Sequence, residues 1–276
     1  MTAARLVSLL LRAYVCLVLL LVFAPIITSF VYSFDANKYA AFPWGGFSTK
    51  WYGVALADPD VAKSLRNTVI VALSSSFIAT AIGFATAYTD YRYRFLGKNA
   101  YLALALLPPT IPAIILGLAM LVYLSRVGLS GALHSVIICH VVYSLPFAMA
   151  LIRLRLGQMD RDLEAAAWNL GANQWQALRE VILPFTLPAI FSALFLTMAV
   201  SFDEYAIAWF VSGFNETLPV RILILLQREV SPKVNAIGSL AFIISMTLIV
   251  LAQVILLLRA PSKTLTLTTA RGPARG

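Results

Sequence analysis

Charge is scarce in this chain. Of its 276 residues only 12% are Asp, Glu, Lys or Arg, while 61% are hydrophobic, and the mean hydropathy is +0.86. A soluble domain carries about twice that charged fraction, so a water-soluble globule is excluded and a polytopic helical membrane protein is expected. Cysteine is nearly absent too. Cys16 and Cys139 both lie in apolar runs, which excludes a disulfide framework and makes each read as a small core residue. The two histidines, His134 and His140, have no partnered nucleophile or ligand set nearby in sequence. A lone histidine on a helix is more often hydrogen-bonded than metal-bound, so no metal site is expected. The chain has no phosphate-cradling Gly-x-x-x-x-Gly-Lys-Ser/Thr loop, no His-Glu-x-x-His and no Gly-x-Ser-x-Gly. It is therefore expected to bind no ATP, to need no cofactor and to catalyse no reaction itself.

A membrane-spanning helix needs about 20 apolar residues. Six are expected in one transmembrane domain over residues 1–276, at about 9–34, 64–89, 99–124, 132–152, 185–212 and 236–258. The first follows Arg5 and Arg12, lacks a small-x-small cleavage site and reads as an uncleaved helix rather than a signal peptide; Pro25 should kink it. The second carries Ser74, Ser75, Ser76, Ala79 and Gly83, a small-residue face suited to close helix packing. The third carries Pro108, Pro109 and Pro112, which must interrupt its backbone bonding. Broken helix at membrane depth is tolerated only where protein or a watery cavity satisfies the freed groups, so this is either a packing kink or a cavity wall. Tyr39, Trp44, Trp51 and Tyr52 suit the interface in the loop before the second span. The tail from Arg259 is basic, small and expected to be disordered.

The net charge of +9 follows the loops. With the N-terminus inside, Arg5, Arg12, Arg92, Arg94, Lys98, Arg153 and Arg155 fall in the cytoplasm, as do the basic residues of the tail. The outer segments are less basic and are partly offset by Asp35, Asp58, Asp60, Glu216 and Glu229. The positive-inside rule then puts both termini and residues 160–184 in the cytoplasm. Lipid head groups and orientation explain the charge, and no nucleic-acid partner is expected.

The stretch Asp160–Pro184 is the most polar long segment between two spans. Leu163, Ala166, Ala167 and Leu170 recur at i, i+3, i+4 and i+7, the spacing of one helical face. Gly171 ends that helix as a residue that accepts positive φ. Asn173 and Gln176 form a capping box for a second helix, with Trp175, Leu178, Val181 and Ile182 as its apolar face and Pro184 at its end.

The fifth span contains two acids, Asp203 and Glu204, followed by Tyr205 and Trp209. A charge at membrane depth costs about 3 kcal/mol or more, so an intramembrane acid is a functional-site hypothesis by default. Asp203 lies fifteen residues beyond Pro188, roughly 22 Å along a helix and hence in the outer half of the span. Adjacent helical residues point about 100° apart, so both acids need not face one pathway. Tyr205 and Trp209, four apart, could offer a cation an aromatic wall. The competing reading is a salt bridge near the outer surface, with Arg221 or Arg228.

The polar stretch resembles the cytoplasmic coupling loop of permease subunits of binding-protein-dependent ABC importers. That family's Glu-Ala-Ala run maps onto Glu164, Ala165, Ala166 and Ala167, followed by Gly171 and Ala172. Counting back from Gly171, the family's Glu position is Ala165 here, and the acid stands one residue earlier at Glu164. Ser201-Phe202-Asp203-Glu204, Phe210-Val211-Ser212-Gly213, Leu218-Pro219-Val220-Arg221-Ile222, Val230-Ser231-Pro232-Lys233-Val234-Asn235-Ala236 and Tyr91–Lys98 resemble the second permease of spermidine/putrescine importers, as does Ser48–Tyr52. The resemblance implies an all-α, methionine-importer-like type I permease in the bacterial inner membrane. It further implies a second homologous permease, two ATP-binding cassette subunits that hydrolyse ATP, and a periplasmic solute-binding protein. Asp203, Glu204, Tyr205 and Trp209 would face a cationic solute, and residues 160–184 would couple to the ATPase. Two alternatives are an ABC permease for another small organic solute, such as an amino-acid- or opine-like compound, and an ion-coupled secondary transporter acting alone. The lack of a convincing internal repeat weighs against the second.

Overall fold

A computed structural model describes residues 3–39, 42–228 and 231–258. Glu229, Val230 and the tail from Arg259 lie outside the described residues. The described chain is almost wholly helical: α1 (Ala3–Tyr32), α2 (Lys50–Ala57), α3 (Pro59–Arg92), α4 (Lys98–Leu106), α5 (Ala113–Arg126), α6 (Leu133–Leu156), α7 (Arg161–Asn169), α8 (Gln174–Ala177), α9 (Leu183–Asp203), α10 (Ala206–Val211), α11 (Leu218–Arg228) and α12 (Pro232–Leu258). Among the described residues, five helical stretches are long and apolar enough to cross a membrane, and α5 is a shorter apolar helix.

The third expected span is therefore not continuous. Pro108, Pro109 and Pro112 supply no N–H, and the chain turns through a 3₁₀ segment, Pro108–Thr110, between α4 and α5. The fifth span also differs. Helix starts earlier than expected, at Gln174, and stops at Asp203. Pro184 does not end it, because a π-helical turn at Leu178–Ile182 carries α8 into α9 and places Pro184 in the first turn of α9, where its missing donor is tolerated.

In lipid the usual apolar driving force between helices is absent, since acyl chains are as apolar as leucine, so close packing and interhelical hydrogen bonds hold the bundle. The centre is α3 packed on α6 and α9, with α12 on the far side of α9. Ser75, Ser76, Ala79 and Gly83 are all buried on α3, as a small-residue face requires. Ser75 donates to Ser201 at 2.9 Å, Thr80 lies 3.5 Å from Thr197, and Ser192 donates to the Ala252 carbonyl at 2.9 Å. One apolar cluster joins Val71, Leu116, Val136, Ile207 and Val211; another joins Ala87, Met149, Ile152, Ile182 and Ala193. By contrast, α1 packs chiefly on α12, and none of its apolar window is buried within this chain. Cys16, on α1, is accordingly exposed rather than a core residue.

At the end of the bundle where α3 begins, Asp58 caps that helix by accepting from the Asp60 and Val61 amides, and Lys233 donates to it at 2.5 Å. Arg221 pairs with Asp60 at 2.5 Å and with Glu216 at 3.6 Å. The Leu218–Ile222 motif thus begins an amphipathic helix, α11, that ties the start of α3 to the segment before α12.

Candidate functional site

The two interrupted spans meet. Gly117 on α5 sits against α10 so closely that a Cβ there would lie 3.0 Å from Ile207 Cα and 3.0 Å from the Phe210 ring. Above this crossing opens a cavity of about 450 Å³, lined by Pro112, Ala113 and Ile114 from the proline break, Tyr143 from α6, and Val200, Asp203, Glu204, Tyr205 and Ala206 from the α9–α10 break. The proline break is thus a cavity wall. Non-helical backbone at this depth is the arrangement tolerated where it borders a cavity.

Asp203 ends α9, and Glu204 and Tyr205 form the break, so the two acids part company. Asp203 is exposed and accepts from Ser245 Oγ at 2.7 Å. Glu204 is 9% exposed and turns back over the start of α10. Its carboxylate accepts from the Ile207 amide at 3.0 Å and the Ala208 amide at 3.1 Å, and lies 3.5 Å from His140 Nε2. Neither acid is bridged to Arg221 or Arg228 among the described residues, because Arg221 is occupied by Asp60 and Glu216. The salt-bridge reading of the acid pair is corrected accordingly. Tyr205 is exposed at the cavity. Trp209 follows one turn later, its amide bonded to the Tyr205 carbonyl at 2.8 Å, but it is not a lining residue.

His140 is hydrogen-bonded, as a lone helical histidine is expected to be, but sequence reasoning missed its partners and its place beside the break. It is fully buried, with Nδ1 2.8 Å from Ser201 Oγ. An apolar helical context gave no sign that its partners lie in α9 and the break. Tyr143, one turn away on α6, was likewise unmarked.

The 160–184 loop forms the expected elbow. Gly171 has φ +85°, which its missing Cβ permits, and Asn173 and Gln176 exchange both capping-box bonds at 2.9 and 2.8 Å. Glu164 points inward, 5% exposed, toward Arg92 at 3.6 Å, and the Arg92 guanidinium stacks over Trp168 at 4.6 Å. Ala165 and Ala166 are exposed, and Ala167 and Ala172 are half-buried. The Leu163, Trp168 and Leu170 side chains face outward, Leu170 at 89% exposure. The elbow is also tied to the rest of the protein by Gln174, which donates to Tyr93 at 2.8 Å; beside it, Asp90 joins α3 to α6 and α4 through Arg153 at 2.5 Å and Lys98 at 3.0 Å.

A bundle whose two broken helices meet at a cavity with an acid on its wall has the build of a membrane transport protein. Residues 62–262 match the family described as the binding-protein-dependent transport system inner membrane component, and the chain belongs to that family. It is 34% identical over 245 residues to the spermidine/putrescine transport system permease protein PotC of Haemophilus influenzae, across 88% of this chain and 95% of the relative. Its fold is that of a bacterial alginate ABC importer (TM-score 0.69, 19% identity, 92% of this chain and 97% of the other) and of the MetNI methionine ABC transporter (TM-score 0.61, 22% identity, 71% and 94%). The expected type I importer permease fold is therefore the fold observed, and the protein is an inner-membrane permease subunit.

Proposed function

We propose that this chain forms half of the translocation pathway for a small organic cation of the polyamine class, spermidine or putrescine. The observation that carries this is the cavity between the two interrupted spans, with the Asp203 carboxylate and the Tyr205 ring on its wall. A carboxylate attracts an ammonium group, and an aromatic face adds cation–π attraction of about 0.5–2 kcal/mol. The name of the PotC relative supports the same substrate class.

In this reading a second homologous permease completes the pathway. Two ATP-binding cassette subunits bind beneath and hydrolyse ATP, and a periplasmic binding protein delivers the solute. Both termini and the 160–184 elbow are cytoplasmic. The outward apolar side chains of α7, Leu163, Trp168 and Leu170, dock on the ATPase. Movement of α7 passes through Arg92 to α3 and through the π-helical turn to α9, which ends at the cavity. A solute or nucleotide shifts access only by binding one conformation better than the other.

The test is ATP hydrolysis by the complex reconstituted in lipid with its partner permease, ATPase and binding protein, with and without spermidine or putrescine. Binding-protein-dependent stimulation by a polyamine is expected. An intact complex that no polyamine stimulates would discard the substrate class, and failure to assemble with an ATPase would discard the coupling role.

A further inference from the structure

Glu204, which borders the cavity, and His140 face each other inside the bundle, and the proposed attraction of the cation rests on Asp203 and Tyr205 without them. Their hydrogen atoms can be placed by elimination. A carboxylate carries no proton to give, so the Nε2 that faces Glu204 must hold one. In the neutral imidazole Nδ1 is then the acceptor, and Ser201 Oγ, 2.8 Å away, donates to it. Having given its only proton, Ser201 must accept, and Ser75 Oγ donates to it at 2.9 Å. The chain of donors runs one way, from Ser75 on α3 through Ser201 on α9 to His140 on α6, whose Nε2 proton faces Glu204. Glu204 closes it by accepting from the first free amides of α10, Ile207 and Ala208. Three helices and the α9–α10 break are thereby joined through one buried side chain. The 3.5 Å between His140 Nε2 and Glu204 is too long for a hydrogen bond at rest, and Nε2 has no other partner among the described residues.

We propose that His140 and Glu204 are positioning residues. Together they pin the break between α9 and α10, so that Asp203 and Tyr205 are held toward the cavity, and Glu204 itself does not serve as a cation-binding acid. The proposal rests on the pathway reading for Asp203. What Glu204 must supply is acceptors in the right places, not charge.

A glutamine at this position can supply them. The oxygen that takes both α10 amides, Oε2, is also the one that faces His140 Nε2. A glutamine carbonyl oxygen in that place accepts from the same amides and still faces the Nε2 proton. His140 then keeps its proton on Nε2, and the chain keeps its direction.

The experiment compares Glu204→Gln, Glu204→Ala and Asp203→Asn in the full reconstituted complex, by polyamine uptake and by ¹⁵N chemical shifts of His140. The shifts are read in a His134→Gln background with only this subunit histidine-labelled. We expect Glu204→Gln to keep uptake within about twofold, and Glu204→Ala, which leaves buried donors unpaired, to lose about tenfold or more. Asp203→Asn should lose a comparable amount for a different reason. We also expect His140 to carry its proton on Nε2 in both the parent and Glu204→Gln. Glu204→Gln falling as far as Asp203→Asn, a neutral His140 with its proton on Nδ1 in the parent, or normal uptake by Glu204→Ala would each overturn the proposal. If Glu204→Ala does not assemble, uptake by the glutamine variant and the parent's tautomer decide. Retained uptake in both Glu204→Gln and Asp203→Asn would remove the pathway role of Asp203 while leaving the positioning pair in place.

Discussion

The elbow at 160–184 and the cavity at the α9–α10 break are built alike and held differently. Each places a buried carboxylate, Glu164 or Glu204, opposite a base, Arg92 or His140, at 3.6 and 3.5 Å. Each sets a break in the helical chain beside that pair, with other groups facing outward: Leu163, Trp168 and Leu170 at the elbow, Asp203 and Tyr205 at the cavity. In the elbow the base is a guanidinium, always charged and partly in water, its side chain 28% exposed. In the cavity the base is an imidazole shut away from solvent, and the carboxylate is also held by two backbone amides. The first arrangement can be pulled apart and remade at small cost, which suits a joint that must move. The second is expensive to open, since a buried donor left unpaired costs about 1–3 kcal/mol, which suits a fixed point against which a pathway is shaped.

The largest expected effect breaks the elbow. Proline cannot adopt the φ of +85° at Gly171, since its ring fixes φ near −65°. Gly171→Pro should abolish solute-stimulated ATP hydrolysis and uptake while membrane insertion persists. Normal uptake by this variant, measured with radiolabelled polyamine in cells, would count against a coupling role for the loop.

Next comes the outward acid of the cavity. Asp203→Asn should lower uptake about tenfold, equivalent to ~1.4 kcal/mol, because the amide cannot attract an ammonium by charge. Asp58→Asn, at the start of α3, keeps an efficient helix cap and should change uptake by less than twofold. Equal losses from the two would mean that Asp203 matters no more than the acid at the start of α3.

How much of this could be read from the sequence depended on how local the cause was. Gly171, Asn173 and Gln176 were legible because a turn and a capping box are set by residues within a few positions of one another. The proline break was legible as a break, since Pro108, Pro109 and Pro112 remove their own donors. Its position opposite Glu204 was not legible, because α5 and α10 lie far apart in sequence. The α9–α10 break was invisible for another reason. Phe202-Asp203-Glu204-Tyr205-Ala206 contains no glycine or proline, and the interruption exists because Glu204 takes the amides of Ile207 and Ala208. An uninterrupted helix was the natural reading, and it kept both acids as candidate pathway groups. The role of His140 depends on Ser201, 61 residues away. Periodicity along one helix carries no information at that range. At the elbow, the pattern of Leu163, Ala166, Ala167 and Leu170 marked a face correctly but could not say that it would be left open while Glu164 turned inward.

A smaller effect is expected where the comparison is sharpest. Glu164→Gln removes the charge from the elbow's pair but leaves the Arg92–Trp168 stack intact. A partly exposed ion pair contributes about 0.2–1 kcal/mol, so stimulated ATP hydrolysis should change only a few-fold. A loss as deep as that of Glu204→Ala would show that the elbow is as rigidly fixed as the cavity and would erase the distinction drawn between them.

The smallest effect belongs to the start of α3. Asp58 is held below its ordinary value of 3.8, first by the hydrogen bond from Lys233 and then by the Asp60 and Val61 amides, against the opposing effect of burial. A carboxyl whose folded pKa is depressed contributes stability above its unfolded pKa and loses it as pH falls through the folded one. The melting temperature of the complex should therefore be slightly lower for Asp58→Asn than for the parent near pH 6, and the two should converge as the pH is taken below about 4. A difference that stayed constant with pH would assign Asp58 the role of a helix cap alone. The Lys233 contact would then add nothing, and the start of α3 would be held to the α11–α12 segment by Arg221 with Asp60 and Glu216.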